Sequence, residues 1–258
     1  GVYDIEPYFS YVRRDTEVLG IIPNVDIGNT RTRRDEFTVG ANVRIGLPYE
    51  TQLELGLPFR TVREERITNS FTLGQGVSDN TGSSIGDVSI GLAKTLMRED
   101  GLRPDLIGRI VWDSGTGDVE DSGVSLGSGF DEYRVSLTAL KRQDPLAFVG
   151  SIGYSVTEEE SVNGVDRKPG DQVSLSLGAS LAASPSTSMS FTLVQSWQQE
   201  TELNGTTVPG SSTNSSQFLI GASTSLGKQT LLSLTAGIGL TDDAPDYSVF
   251  MSLPIRFY

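Results

Sequence analysis

The stretch QVSLSLGASLA (172–182) alternates without a slip. Val173, Leu175, Leu177, Ala179 and Leu181 fall on one side, and Ser174, Ser176, Gly178 and Ser180 on the other. A period of two predicts a β-strand with one apolar and one polar face. The pattern recurs from end to end. Tyr3, Ile5, Phe9 and Tyr11 oppose Asp4, Glu6, Tyr8 and Ser10. Phe37, Val39, Ala41, Val43, Ile45 and Leu47 oppose Glu36, Thr38, Gly40, Asn42, Arg44 and Gly46. Leu53, Leu55, Leu57 and Phe59 oppose Gln52, Glu54, Gly56 and Arg60. Similar segments follow at DVSIGLAKTLM, DLIGRIVWD, EYRVSLTAL, LAFVGSIGYSV, SMSFTLVQSW, QFLIGASTSL, TLLSLTAGIGL and YSVFMSLPIRF. In the first of these, Lys94 breaks the pattern and stands on the apolar face with Leu92 and Leu96. The count is about twelve strands of roughly ten residues, the length a tilted membrane strand needs.

The connections alternate as well. Short links fall at 47–50, 98–104, 141–145, 183–186 and 227–228. Long ones fall at 15–33, 64–85, 114–129, 157–170 and 199–214, with a shorter one near 242–245. Long extracellular loops and short periplasmic turns take turns in this way in outer-membrane barrels, whereas Greek-key connections of a soluble sandwich follow no such rule. A sandwich would also leave sheet edges open, and closure removes them. The expected fold is therefore an all-β, transmembrane, antiparallel up-and-down β-barrel. Residues 1–258 form one such domain, placed in the bacterial outer membrane.

Composition sharpens this picture. Apolar residues make up only 36% of the chain, which suits a wet interior better than a filled core. The chain has no cysteine and no histidine, so the Ser–His and Cys–His nucleophile pairs and the usual zinc sites are absent. A net charge of −13 lacks the basic footprint of a nucleic-acid binder. No enzyme activity, cofactor or metal is expected.

The polar face of each strand then looks into a lumen. It carries both signs of charge: Glu36, Glu54, Asp87, Asp113 and Glu132 beside Arg44, Arg60, Arg109, Arg134 and Arg256. These are the expected lumen-lining residues, either paired across the wall or forming a constriction. Aromatics cluster near segment ends, at Tyr3, Tyr11, Phe37, Phe59, Trp112, Tyr133, Tyr154, Trp197, Tyr247 and Phe257. This is the distribution of interfacial belts. The basic knot RTRRDE (31–36) is a solvated rim or a grip for lipopolysaccharide phosphates. Membrane lipid and lipopolysaccharide are the expected surroundings.

Three stretches carry a resemblance: SSIGDVSIGLAK (83–94), DSGTGDVEDSGVSLGSGFDEYRVSLTALK (113–141) and PLAFVGSIGYSV (145–156). They resemble the Gly-Asp strand opening, the T-G-D and L-G-S-G loop, and the following strand of the MetA-pathway phenol-degradation family of outer-membrane barrels. Glu132 replaces the more usual Asp, and Phe130 is bulkier than the family pattern. Read physically, Gly127 and Gly129 permit a tight re-entry of the loop into the wall. Asp87 and Glu132 place carboxylates where Arg109 or Arg134 could pair with them. In size and layout the chain is also similar to the functional-amyloid (Fap) secretion channels within that family. That likeness implies a twelve-strand, trimeric channel exporting amyloid subunits, preceded by periplasmic N-terminal segments that this chain would lack.

Two functions compete. A polar lumen of both charge signs suits export of an unfolded polypeptide, the amyloid subunits. The alternative is an uptake pore for small hydrophobic or aromatic compounds, which needs apolar side chains in the lumen or an opening in the wall. The lumen face offers few such candidates beyond Tyr8, Val194 and Phe250. A barrel enzyme lacks its histidine base, and an autotransporter would carry a helix ahead of its first strand.

Overall fold

The structure is a computed structural model that describes residues 2–22, 26–70, 74–127, 129–162 and 164–257. The first wall strands are β1 (Tyr3–Ile22), β2 (Asp26–Leu47), β3 (Thr51–Ser70), β4 (Gly74–Ile85), β5 (Ser89–Met97) and β6 (Asp105–Asp113). A small hairpin, β7 (Glu120–Asp121) and β8 (Val124–Ser125), precedes β9 (Glu132–Gln143) and β10 (Leu146–Thr157). Then come β11 (Glu160–Val162), β12 (Val165–Lys168), β13 (Gln172–Ala182), β14 (Thr187–Gln198), β15 (Glu202–Leu203) and β16 (Thr206–Thr207). The chain ends with β17 (Thr213–Ser225), β18 (Leu231–Gly239), β19 (Tyr247–Ser252) and β20 (Ile255–Phe257).

Antiparallel pairing runs β1–β2–β3–β5–β6–β9–β10–β13–β14–β17–β18–β19, and β19 and β20 close on β1. β4 and β5 both pair with β3 and make one strand interrupted at 86–88. β19 and β20 make another, interrupted at Leu253 and Pro254, where proline has no N–H for the ladder. The wall is thus a closed antiparallel barrel of twelve strands, with no helix among the described residues. Closure leaves no unpaired edge to face hydrocarbon.

The register settles which face is which. Tyr3 pairs with Ile45, Phe9 with Val39 and Val39 with Phe59, so the apolar sets of neighbouring strands share one face. That face is outside. Leu57, Ile110, Leu177 and Ile238 are each more than half exposed, while the only buried apolar cluster among the described residues is Val62, Val124 and Leu126. In a lipid-embedded barrel the greasy surface is on the skin.

Two of the expected long loops, 15–33 and 64–85, are instead strand over their described residues, 23–25 and 71–73 lying outside these. β1 pairs with β2 from Tyr3 to Ile22, and β3 with β4 from Phe59 to Ser70, so two hairpins rise well beyond the wall. Water bathes both faces up there, so nothing selects an apolar–polar alternation and the sequence pattern fades. Cross-strand ion pairs replace it. On the outer face Arg31 holds Asp15 at 2.5 Å, Arg33 holds Glu65 at 3.1 Å and Arg63 holds Asp79 at 2.5 Å. At 157–170 and 199–214 loop chemistry persists, trimmed by the small sheet β11–β12–β15–β16.

Candidate functional site

The even-numbered residues of β1–β3 point inward, and they bring the charges of the lumen together in pairs. Glu54 accepts from Arg109 Nε at 2.6 Å, Glu36 lies 3.2 Å from Arg60 and Asp4 3.1 Å from Arg256. Arg44 pairs with the buried Glu6, and Arg134 with Asp113 and, at 3.7 Å, with Glu132. Arg34 adds a further link, 3.9 Å from Glu36 and 3.7 Å from Glu64. Partly exposed pairs of this kind are worth about 0–1 kcal/mol each. Their main effect is to cancel charge along one side of the channel.

Asp87 departs from the expected pairing. Its carboxylate accepts backbone N–H groups from Gly117 at 2.8 Å and Gly129 at 2.9 Å, rather than meeting Arg109 or Arg134. It sits in the 86–88 interruption, where the strand releases its backbone and lets the side chain reach the 114–131 loop. That loop turns inward. Val124 and Leu126 bury against the lumen-facing Val62, Arg60 donates to the Leu126 carbonyl at 2.6 Å, and Arg34 donates to Ser125 at 2.6 Å. Ser84 donates to Asp118 at 2.6 Å. Gly129 has φ +88°, and a Cβ there would meet the Val119 side chain at 2.5 Å, so the re-entry expected of this glycine is sterically required. The hairpin β7–β8 therefore lies on the inner face of β3 and β4 and narrows the lumen from that side.

The opposite wall is different in kind. β10, β13, β14, β17, β18 and β19 contain no Asp, Glu, Lys or Arg at all. Their inward positions are mostly Ser, Thr and Gly, including Ser174, Ser176, Thr192, Ser233 and Thr235. Across them runs an apolar band: Val194 on β14, Leu219 on β17, Phe250 on β19 and Tyr8 on β1. Tyr8 and Phe250 stack at 5.8 Å, and Tyr8 lies against Gly40, where a Cβ would meet its ring at 2.6 Å. Leu219 leans over Gly237 in the same way. The alternation pattern pointed to Tyr8, Val194 and Phe250; Leu219 was legible by the same phase, as the inward residue between Gln217 and Gly221 in QFLIG.

All ten belt aromatics, Tyr3, Tyr11, Phe37, Phe59, Trp112, Tyr133, Tyr154, Trp197, Tyr247 and Phe257, share the outward phase. Tyr3 and Phe257 stack at 5.0 Å at the periplasmic end, and Tyr11 sits 4.8 Å from Phe37 and 5.9 Å from Tyr247 at the other. Of the RTRRDE knot, Arg31 and Arg33 face outward onto carboxylates and Arg34 faces inward onto the loop. Above the belt, hydrogen bonding to Arg31 holds the Asp15 carboxyl below the usual range, and Arg63 does the same for Asp79. A lowered folded value contributes stability at neutral pH that is lost as pH falls through it. Acidification below the ordinary carboxylate range is therefore expected to speed amide exchange in the upper β1–β2 and β3–β4 ladders before it affects the wall, and uniform protection at acid pH would contradict this.

A closed twelve-strand wall, apolar outside and polar within, defines an outer-membrane channel. The chain belongs to the family described as "Putative MetA-pathway of phenol degradation", whose model matches residues 16–257. Among solved structures it is similar to the COG4313 outer membrane channel from Pseudomonas putida F1, with a TM-score of 0.71 at 14% identity over 100% of this chain and 96% of that one. It is also similar to the transport unit of the autotransporter AIDA-I from Escherichia coli, with a TM-score of 0.51 at 10% identity over 100% and 90% of the two chains. At these identities the likeness concerns the fold.

Proposed function

We propose that this channel takes up small hydrophobic or aromatic compounds across the outer membrane and performs no chemistry on them. The observation that carries this reading is the charge-free half of the lumen, where Phe250, Leu219 and Val194, met by Tyr8 on the adjoining β1, form an apolar band among hydroxyl side chains. An aromatic ring can lie along such a band while its polar substituent exchanges hydrogen bonds with serines and threonines, so it is neither repelled nor trapped. The family's phenol-degradation description is consistent with that cargo. Export of unfolded amyloid subunits is the weaker reading. The inward loop, held by Asp87, Arg34 and Arg60, occupies lumen space that an extended polypeptide would need.

The test is uptake of a labelled monoaromatic such as toluene by cells expressing the channel. Phe250→Asp is expected to lower the uptake rate severalfold by placing a carboxylate on the neutral side, with Phe250→Leu close to the wild type. Unchanged toluene uptake in Phe250→Asp, with the barrel folded, would overturn the reading.

A further inference from the structure

Lys94 is the residue that neither the barrel pattern nor the channel explains. It lies on β5 in the outward phase, between Leu92 and Leu96, opposite Thr51 on one neighbour and Gly108 on the other. It is exposed, and among the described residues it makes no ion pair or side-chain hydrogen bond. Among the described residues, the other outward cations of the wall strands are matched: Arg13, Arg31, Arg33 and Arg63 toward the extracellular side, and Lys141, which holds Glu99, toward the periplasmic one. An unmatched ammonium on a lipid-facing strand is unfavourable unless something in the membrane answers it.

Beside it the outer wall is hollowed. A groove of about 660 Å³ runs from Lys94 past Gly108, over which the Leu96 side chain leans, and on between Ile110, Val135, Leu137 and Ile152. Its walls are almost wholly apolar apart from the Lys94 end. The location along the membrane normal is set by the register. Thr51 is the first residue of β3, and the Thr95 N–H bonds at 3.0 Å to the carbonyl of Glu50 in the adjoining periplasmic turn. Lys94 is thus close to the periplasmic edge of the wall, within reach of the inner-leaflet headgroups for a snorkelling side chain.

We propose that Lys94 and this groove form a binding site for one anionic glycerophospholipid of the periplasmic leaflet. The phosphodiester meets the ammonium, and one acyl chain fills the groove beyond Leu96 and Gly108, against Ile110, Val135 and Ile152. Charge complementarity selects the headgroup, and the hollow selects a chain over a free ion. The site is independent of the lumen and of what the channel carries.

Native mass spectrometry of the whole barrel, released from nanodiscs of equal phosphatidylglycerol and phosphatidylcholine, tests it. Wild type is expected to retain one phosphatidylglycerol in preference to phosphatidylcholine. Lys94→Met lowers that preference about fivefold, the effect of one basic residue on anionic lipid, and Lys94→Arg keeps it. Gly108→Val, which narrows the groove with Lys94 in place, also lowers retention. Toluene uptake is unchanged in Lys94→Met. Equal retention of the two lipids by wild type, undiminished preference in Lys94→Met, or displacement of the lipid by inorganic phosphate would each overturn the proposal. Heat-modified electrophoretic mobility establishes that each variant is folded.

Discussion

Replacing Asp87 by alanine is expected to raise the single-channel conductance in planar bilayers and to make it fluctuate. Two backbone N–H groups, of Gly117 and Gly129, lose their shared acceptor, and no other carboxylate stands in the 86–88 interruption to replace it. Hydrogen bonds to a charged acceptor contribute about 1.5–3 kcal/mol each when buried. Asp87 is only half-buried, so a combined loss of about 2 kcal/mol is the reasonable scale, roughly thirtyfold in the ratio of displaced to seated loop. Arg60→Ala should act in the same direction, because it removes the donor to Leu126 and Gly127 and leaves Glu36 only the longer contact to Arg34. The double variant should exceed either single one by less than the sum, since both act on the same loop. Wild-type conductance in Asp87→Ala would mean that the inward hairpin does not control the pathway.

The second large effect concerns the two faces of one strand. Leu177 and Ser176 are neighbours in the middle of β13, the first outward and the second inward. Leu177→Arg puts a guanidinium against hydrocarbon near mid-membrane and is expected to destabilise the barrel by about 2–4 kcal/mol. Ser176→Arg points into a hydrated lumen, toward a wall without charges, and should change stability by well under half as much. Urea unfolding in lipid vesicles measures both. Equal losses, or the reverse order, would be incompatible with the assigned faces.

The parts of this fold that were legible in the sequence are those where lipid lies on one side and water on the other. There the two environments impose opposite chemistries on successive residues, and a strand such as β13 announces both its length and its phase. Where one environment surrounds both faces the signal vanishes. β1 beyond Arg13 and β2 before Asp35 are paired strand, yet DTEVLG and DIGNTRTRR read as loop, because their stabilisation comes from partners on the next strand. The lumen charges were readable as a set by their phase, and Glu132 met Arg134 as expected. The role of Asp87 was not readable, because a carboxylate serving backbone N–H groups 30 and 42 residues on leaves no spacing rule to find. The apolar pair Val124 and Leu126, either side of Ser125 in the polar 114–131 stretch, was the one trace of a hairpin that buries itself against Val62. The separation of the lumen into a charged and a neutral half was written in the composition of β10, β13, β14, β17, β18 and β19, but it acquires meaning only once those strands are known to be neighbours.

The absence of cysteine makes the central claim directly measurable, since single cysteines can be introduced at each position of 172–182 without background. In intact outer membranes, a charged, membrane-impermeant thiol reagent should label residues 174, 176, 178 and 180 and leave 175, 177 and 179 unlabelled, while a lipid-soluble reagent shows the complementary pattern. Labelling of the odd positions by the charged reagent, or loss of the alternation, would show that no hydrocarbon covers the outer face and would contradict the barrel as described.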